Sequence, residues 1–273
     1  MRAIEELRGS RELIANLTLR ELKGKYKRTL LGQLWSLANP LAQMLIYTAV
    51  FAFVMRVQPD PGNPSGLDLF ALWLMCGLLP WSFFTNVVNG GMGALTGNEN
   101  LIKKVYFPRV VLIYSTTLSF LYSWMIEMIV LLAAIIIFGG HPLFFVPIVI
   151  LVMLFLACFS TGIALLFSIG NVYFRDIQHF SGILFQIWFY ATPIVYPARL
   201  LFDQAASHNW HWLTVVYSAN PLYQFGEVFR NLMYDNRLPG WENVAYIIGV
   251  SLVTLIVGYW VFKRHEDRLA EAL

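Results

Sequence analysis

Charge is what this sequence has least of. Only 13% of its 273 residues are Asp, Glu, Lys or Arg, about half the share a water-soluble domain uses to cover itself. Cysteine is nearly absent too: Cys76 and Cys158 each sit inside an apolar run and read as small buried hydrophobes. They offer no disulfide framework and no metal-ligand spacing. There is no G-x-x-x-x-G-K-[ST] phosphate loop, because Gly24-Lys25 lacks the upstream glycine, so ATP is not bound by that route. H-E-x-x-H and G-x-S-x-G are missing, as are the Arg series of a voltage sensor and a TVGYG-like filter. No inverted repeat stands out. Nothing argues for an enzyme, a cofactor or metal held by this chain, or a nucleic-acid partner. A cleavable leader is not expected, since the first apolar run starts only past the basic residues ending at Arg28.

What the chain does have is apolar length. Hydrophobic residues make up 58% and the mean hydropathy is +0.61, which reads as an integral membrane protein. Segments 29–55, 69–98, 177–198 and 243–262 carry no charge. Segment 110–174 carries only Glu127 and is punctuated by "GGHP" at 139–142. A crossing helix takes about 20 apolar residues, and helices alone satisfy their backbone at this apolarity; the alternation of a membrane barrel is absent. The expected fold is therefore all-α and polytopic, with six spans near 38–57, 69–92, 110–138, 143–170, 178–197 and 243–262. Residues 1–34 form an interface segment, 35–265 the transmembrane domain and 266–273 a tail. The stretch 212–226 is uncharged but short and contains Pro221, so it reads as re-entrant or interfacial.

Charge placement sets the sidedness. Eight Lys/Arg precede Leu37, three lie in 98–109 (Lys103, Lys104, Arg109), Arg175 adds one, and three follow from Lys263. The other loops hold Arg199, Arg230 and Arg237, with Arg56 at a border. The positive-inside rule then places both termini in the cytoplasm of an inner-membrane protein and 198–242 outside.

At the amino terminus, Ile4, Leu7, Ile14, Leu17 and Leu22 fall near one helical face and Glu5, Glu6, Arg8, Arg11 and Glu12 mostly on the other, followed by "KGKYKR". This is an amphipathic helix along the inner membrane surface, gaining about 1 kcal/mol per basic residue from anionic lipid, or a plain topology signal; both can hold. His208 and His211, three apart among tryptophans, suit an interfacial surface better than a metal pair. Glu127 sits near mid-depth of the third span, where charge is expensive. It is either a functional group or a polar anchor between helices, and no cation in the sequence is an obvious partner. The island "NENLIKKVYFPR" (98–109) reads by composition as an inside-positive turn.

Several blocks then converge on one family. "LTLRELKGKYKRTLLGQLWSLANPLAQMLIYTAVFAF", "GLLPWSFFTNVVNGG" with "NENLIKKVYFPR", "NVYFRDIQHF", and "TPIVYP" with "NPLYQFGEVFRNLMY" resemble, in order and over nearly the whole chain, the ABC-2-type permeases that export polysaccharides. The subgroup resembled is that of O-antigen, teichoic acid and lipid-linked galactan exporters, most of all the galactan exporters. The resemblance implies a homodimer with two copies of a separate ATP-binding subunit, ATP and Mg held on that partner, and a lipid-linked polysaccharide threading between the two permease copies. Alternatives are an ABC-2 drug or lipid exporter, or a membrane scaffold that moves nothing.

The resemblance also implies site residues. The island becomes a handle docked in the ATPase: Asn98, Leu101, Ile102, Lys103, Lys104, Val105, Tyr106, Phe107 and Arg109. Its mix of apolar and cationic residues suits a socket with an apolar floor and an acidic rim, and Pro108 ends its helix. Arg175 and Asp176 are a second contact or a local pair that holds the loop. Short external helices near 196–200 and 221–230 form a gate, with Tyr196, Pro197, Pro221, Tyr223, Phe225, Phe229 and Arg230. A sugar chain sliding on aromatic faces points to Tyr47, Trp81, Phe83, Phe84 and Tyr190 as channel candidates, only some of which are expected to face it.

Overall fold

The computed structural model describes residues 9–25, 32–57 and 59–272, and among them every regular element is helical. Eleven α-helices follow one another: α1 (Arg11–Lys25), α2 (Trp35–Tyr47), α3 (Phe70–Thr96), α4 (Glu99–Lys104), α5 (Val110–Ile137), α6 (Val146–Tyr173), α7 (Ile177–Ala191), α8 (Ala198–Ser207), α9 (His211–Ser218), α10 (Pro221–Phe229) and α11 (Trp241–Ala272). A π-turn, Thr48–Val54, prolongs α2, and another, Arg230–Asp235, prolongs α10. The reading of a helical polytopic membrane protein is borne out. Residues 1–8 and 26–31, which hold Ile4, Leu7 and part of "KGKYKR", lie outside the described residues.

Five helical stretches are long and apolar enough to cross a bilayer: Trp35–Val54, Phe70–Thr96, Val110–Ile137, Pro142–Tyr173 and Trp241–Glu266. They coincide with five of the six expected spans. The stretch at 178–197 differs. Its helix α7 has 15 residues, about 22 Å of rise against a hydrocarbon core of about 30 Å. It stops because Pro193 bars the helical region to the residue before it, and Thr192 is extended (φ −105°, ψ 130°). At the other boundary α11 runs unbroken through 265 to Ala272, so the tail continues the last span.

The bundle is built around α3. Most of its residues between Phe70 and Leu95 are buried, packed between α5, α6, α7 and α10. Phe83 stacks on Trp124 of α5 with centroids 4.3 Å apart, and Phe84 lies among Phe159, Phe185 and Trp188. Small residues let backbones approach where lipid provides no hydrophobic drive. Gly91 of α3 faces Ala164 of α6 so closely that a Cβ would stand 2.7 Å from the alanine methyl. Buried polar groups cross between helices: Asn171 Nδ2 donates to the Met92 carbonyl at 2.9 Å, and the Thr117 and Thr161 hydroxyls meet at 3.1 Å.

The closest crossing is between α6 and α11. A Cβ on Gly162 would lie 2.5 Å from the Thr254 carbonyl carbon and oxygen, and one on Gly258 would collide with the Gly162 backbone. Replacing Gly162 by Val is expected to force these helices apart at a cost of roughly 1–3 kcal/mol, lowering the thermal unfolding midpoint of the purified protein in detergent. Gly249→Ala, where a Cβ meets nothing within 4 Å, leaves the midpoint unchanged or raises it slightly.

Candidate functional site

Two adjoining hollows run along one face of the bundle between α2, α3, α5 and α7. The larger, about 520 Å³, is lined by Lys25, Asn39, Gln43, Ser82, Thr85, Asn86, Ser123 and Glu127, with Trp35 and Phe120 among its apolar walls. The smaller, about 250 Å³, is lined by Tyr47, Trp81, Phe185, Gln186, Phe189 and Tyr190 and shares Gln43, Ser82 and Thr85 with the first. The shared residues set the two side by side along one face, polar at one end and aromatic at the other.

Helix geometry explains the lining. Ser82, Thr85 and Asn86 are spaced to share one face of α3, as are Asn39 and Gln43 on α2. A span that must otherwise present apolar surface thus carries a polar stripe. Three of the channel candidates meet in the aromatic part: Tyr47 lies 5.6 Å and Trp81 5.4 Å from the Phe189 ring, and Tyr190 is 5.2 Å from it. Phe83 and Phe84 do not join them. Both point into the packed core described above, the opposite face of α3.

Glu127 is 9% exposed and looks into the polar hollow. A cation does stand on the same hollow: Lys25, at the end of α1. Its amine lies 3.1 Å over the centre of the Phe120 ring and donates to the Ser119 hydroxyl at 3.2 Å. The helix α1 is fixed there because Thr116 donates to Glu21 at 2.8 Å and Leu17 is buried against the bundle. The amphipathic helix therefore has a protein partner, the first turns of α5. Burial lowers the Lys25 pKa from 10.5 to about 8, with the charges of Glu21 and Glu127 opposing the shift.

The 98–109 loop stands at the far end of α3. Asn98 ties it in from both sides, donating to the Ala94 carbonyl at 2.9 Å and accepting from Arg20 of α1 at 2.6 Å. Lys103 pairs with Glu99 at 2.6 Å, one turn away, and this contact first, then the charge of Arg175, holds the Glu99 carboxyl below the usual range. Arg175 is thus brought to the same end; no ion pair joins it to Asp176 among the described residues, and both are exposed. Ile102 is only 7% exposed and Leu101 and Phe107 lean on the core, whereas Tyr106 is fully exposed and Val105 half-exposed. Lys103, Lys104, Val105, Tyr106 and Arg109 frame a hollow of about 320 Å³. The Arg109 amide donates to Glu266 of α11 at 2.7 Å.

At the opposite end, Pro197 precedes α8 and Pro221 opens α10, where Asn220 caps the Leu222 amide. Asn220 also accepts from the Trp188 indole at 3.1 Å and donates to Thr192 at 2.8 Å, tying α10 to the broken end of α7. Tyr196 donates to the Tyr190 carbonyl at 2.8 Å, and Tyr223 meets Phe202 of α8 edge-on at 6.3 Å. Phe225 and Phe229 are buried, against Phe159 and Trp124. Arg230 is 5% exposed and staples the 192–197 turn, donating to the Pro193 and Ile194 carbonyls at 3.0 and 2.8 Å. His208 stacks on Trp210, its Nδ1 beside Ser207 and the Gln204 carbonyl of its own helix; no His, Cys, Asp and Glu cluster of metal-site size occurs among the described residues.

A channel-like face, a loop offered at one end and broken helices at the other are the parts of a permease, and residues 12–234 match the family ABC-2 type transporter. The chain belongs to the ABC-2 type transporter family. Among its relatives in that family are the O-antigen export system permease protein RfbA of Myxococcus xanthus, 30% identical over the whole of both chains. The protein of the same name from Klebsiella pneumoniae is 29% identical over 96% of this chain and 95% of its own. The polysialic acid transport protein KpsM of Escherichia coli is 25% identical over 93% of each.

The polar residues of this ABC-2 chain that sequence reasoning passed over are Asn39, Gln43, Ser82, Thr85, Asn86 and Gln186, and Lys25 was read only as part of the basic run KGKYKR. The signal was present, as polar side chains at helical spacing inside uncharged runs, but the aromatics overshadowed it. Lys25 itself yields a test. A lysine whose pKa falls to about 8 is largely neutral at pH 9, where an ordinary lysine stays charged. Mass-spectrometric labelling with an amine acylating agent is expected to reach half its limiting rate near pH 8 at Lys25, against about 10.4 for an ordinary solvated lysine.

Proposed function

We propose that this chain is the membrane-spanning permease of an ABC transporter exporting a lipid-linked polysaccharide of O-antigen, teichoic acid or galactan type across the cytoplasmic membrane. Two copies pair to enclose the conduit, and two ATP-binding subunits, which hold ATP and Mg, drive it. Both termini and the 98–109 loop face the cytoplasm. The single observation that carries the reading is the pair of adjoining hollows: a face lined by amides and hydroxyls at one end and by Tyr47, Trp81 and Tyr190 at the other. A polyhydroxylated chain with apolar C–H faces can exchange its water for such a lining without binding tightly at any point. The printed names of the relatives, O-antigen export and polysialic acid transport, supply the cargo class.

Helices α7 and α10 with its π-turn are the short elements of this permease. With α7 counted as a crossing of a locally thinned bilayer, the chain has six spans and the even number that returns α11 to the cytoplasm. Hydrolysis on the partner pushes at α4. The free face of that handle is Val105 and Tyr106, flanked by Lys103, Lys104 and Arg109, while Ile102 and Asn98 secure it to the bundle. Arg175 offers a second cation at the same end. At the far end, α8 and α10 act as the gate, with Tyr196, Pro197, Pro221 and Tyr223 on its moving parts and Phe225, Phe229 and Arg230 as its anchor in the core.

The test is reconstitution with the ATP-binding partner. A lipid-linked glycan is expected to stimulate ATP hydrolysis, and the doubly substituted V105D/Y106D permease, with an unchanged melting profile, is expected to lose that stimulation by about tenfold or more. Ile102→Asp is expected to destabilise the permease itself, since it buries a carboxylate. Full stimulation and export by V105D/Y106D would remove the docking role from this loop.

A further inference from the structure

A fourth hollow, of about 220 Å³, lies outside the path just described, beside the Phe70 end of α3. Trp73 and the Arg230 guanidinium, 3.8 Å over its ring, stand in its wall. Pro59, Pro61 and Pro197 add apolar surface, and Asn63 adds an amide. Three ion pairs ring it: Arg199 with Asp60, Arg230 with Glu227 at 2.9 Å, and Arg237 with Asp235 at 3.0 Å. The first ties α8 to the 59–67 loop, and the other two are local to α10 and the turn after it.

These walls are built before any ligand arrives. Tyr234 donates to the Leu67 carbonyl at 2.7 Å, the Ser65 amide to the Asp235 carbonyl at 3.1 Å, and Arg237 to Asn231 at 2.7 Å. Asn236 takes the left-handed turn (φ 60°) that brings Arg237 back to Asn231. The Arg230 Nη atoms are held by Glu227 and by the Pro193 and Ile194 carbonyls, which fixes the guanidinium over Trp73 as a rigid part of the wall.

We infer that this hollow is a subsite for one neutral sugar residue, reached as the glycan leaves the conduit; the inference rests on the proposed export function. Its volume matches about one hexose ring. Its chemistry is that of sugar recognition: carboxylates to accept from hydroxyls, guanidinium groups to donate to them, and an indole and proline rings for C–H faces. Its charge does not favour the obvious competitor. Each guanidinium is matched by a carboxylate, so the wall has no surplus positive charge to draw an anionic ligand. A polyol needs no such surplus, and donors and acceptors held in place limit what ordering costs on binding.

The experiment is saturation-transfer NMR on the full-length permease in lipid nanodiscs with its ATP-binding partner, using methyl hexopyranosides of the gluco, galacto and manno series as probes. Inorganic phosphate and glucuronate serve as charged comparisons. At least one hexoside is expected to bind saturably, with a Kd on the order of millimolar. Asp60→Ala and Arg237→Gln, both at exposed positions, are each expected to weaken it by about fivefold without changing the melting profile. No saturable hexoside signal, equal binding by both variants, or tighter binding of phosphate or glucuronate overturns the site. Glycan-stimulated hydrolysis and export are measured in the same preparation. If the wild-type complex exports its glycan while no hexoside binds, the subsite falls alone; if it exports nothing, the export reading falls and the subsite with it.

Discussion

In hydrocarbon, apolar side chains gain nothing by leaving lipid for one another, so a bundle holds together by close approach and by polar groups that have nowhere else to bond. This chain meets that constraint at the crossing of α6 and α11, where Gly162 and Gly258 put backbone against backbone, and along α3, whose Gly91 meets Ala164. Dispersion contacts fall off steeply with distance, so a methyl-sized gap at these points forfeits most of the attraction along both helices. With α3, α5, α6 and α11 locked, the remaining helices are free of the duty to hold the core. That freedom is visible in α2, which exposes Leu41, Leu45 and Ile46 on one side and carries Asn39 and Gln43 toward the hollow on another.

The polar stripe has an energetic consequence of its own. Ser82, Thr85, Asn86 and Glu127 lie at membrane depth, and a dry, apolar surround there would cost several kcal/mol per unpaired group. They are tolerable only facing water or one another, so their convergence on one hollow with Lys25 is what permits them in the sequence at all. The single-copy path is open along its side. A wall of lipid would face these amides badly, while a second copy, as in the proposed pairing, would present the same stripe and enclose them.

Much of the fold was legible because span length and absence of charge are local properties. Five of six expected spans appear within a few residues of their expected bounds. The exception, α7, ends early on a proline whose effect on Thr192 is also local, yet the uncharged run through Ala198 hid it. The candidate site was less legible, because burial is a property of faces and needs the helix neighbours to be known. Phe83 and Phe84 are next to Trp81 and Ser82 in sequence but turn to the core side of α3. Ile102 lies in α4 and turns into the bundle, whereas Tyr106 follows the helix, past the extended Val105, and points out of it. Lys25 and Glu127 share a hollow across a separation of about a hundred residues that no spacing rule bridges.

One helix connects the three places where function would be exercised. Through α3, Thr96 and Asn98 border the loop at one end, Ser82 and Thr85 line the middle of the path, and Trp73 stands in the sugar-sized hollow at the other. Its 27 residues span about 40 Å. α3 is packed along most of its length, with one polar face on the hollow and Pro80 inside it, so under the proposed coupling a push at α4 would be carried along α3 toward its far end. At that far end Arg230 lies over Trp73 and holds the 192–197 turn. A shift of α3 would bear on the Arg230 staple, and the staple ties the broken tip of α7 to α10. The same guanidinium that closes this junction also walls the sugar-sized hollow, which would make occupancy there and the position of α10 two readouts of one contact.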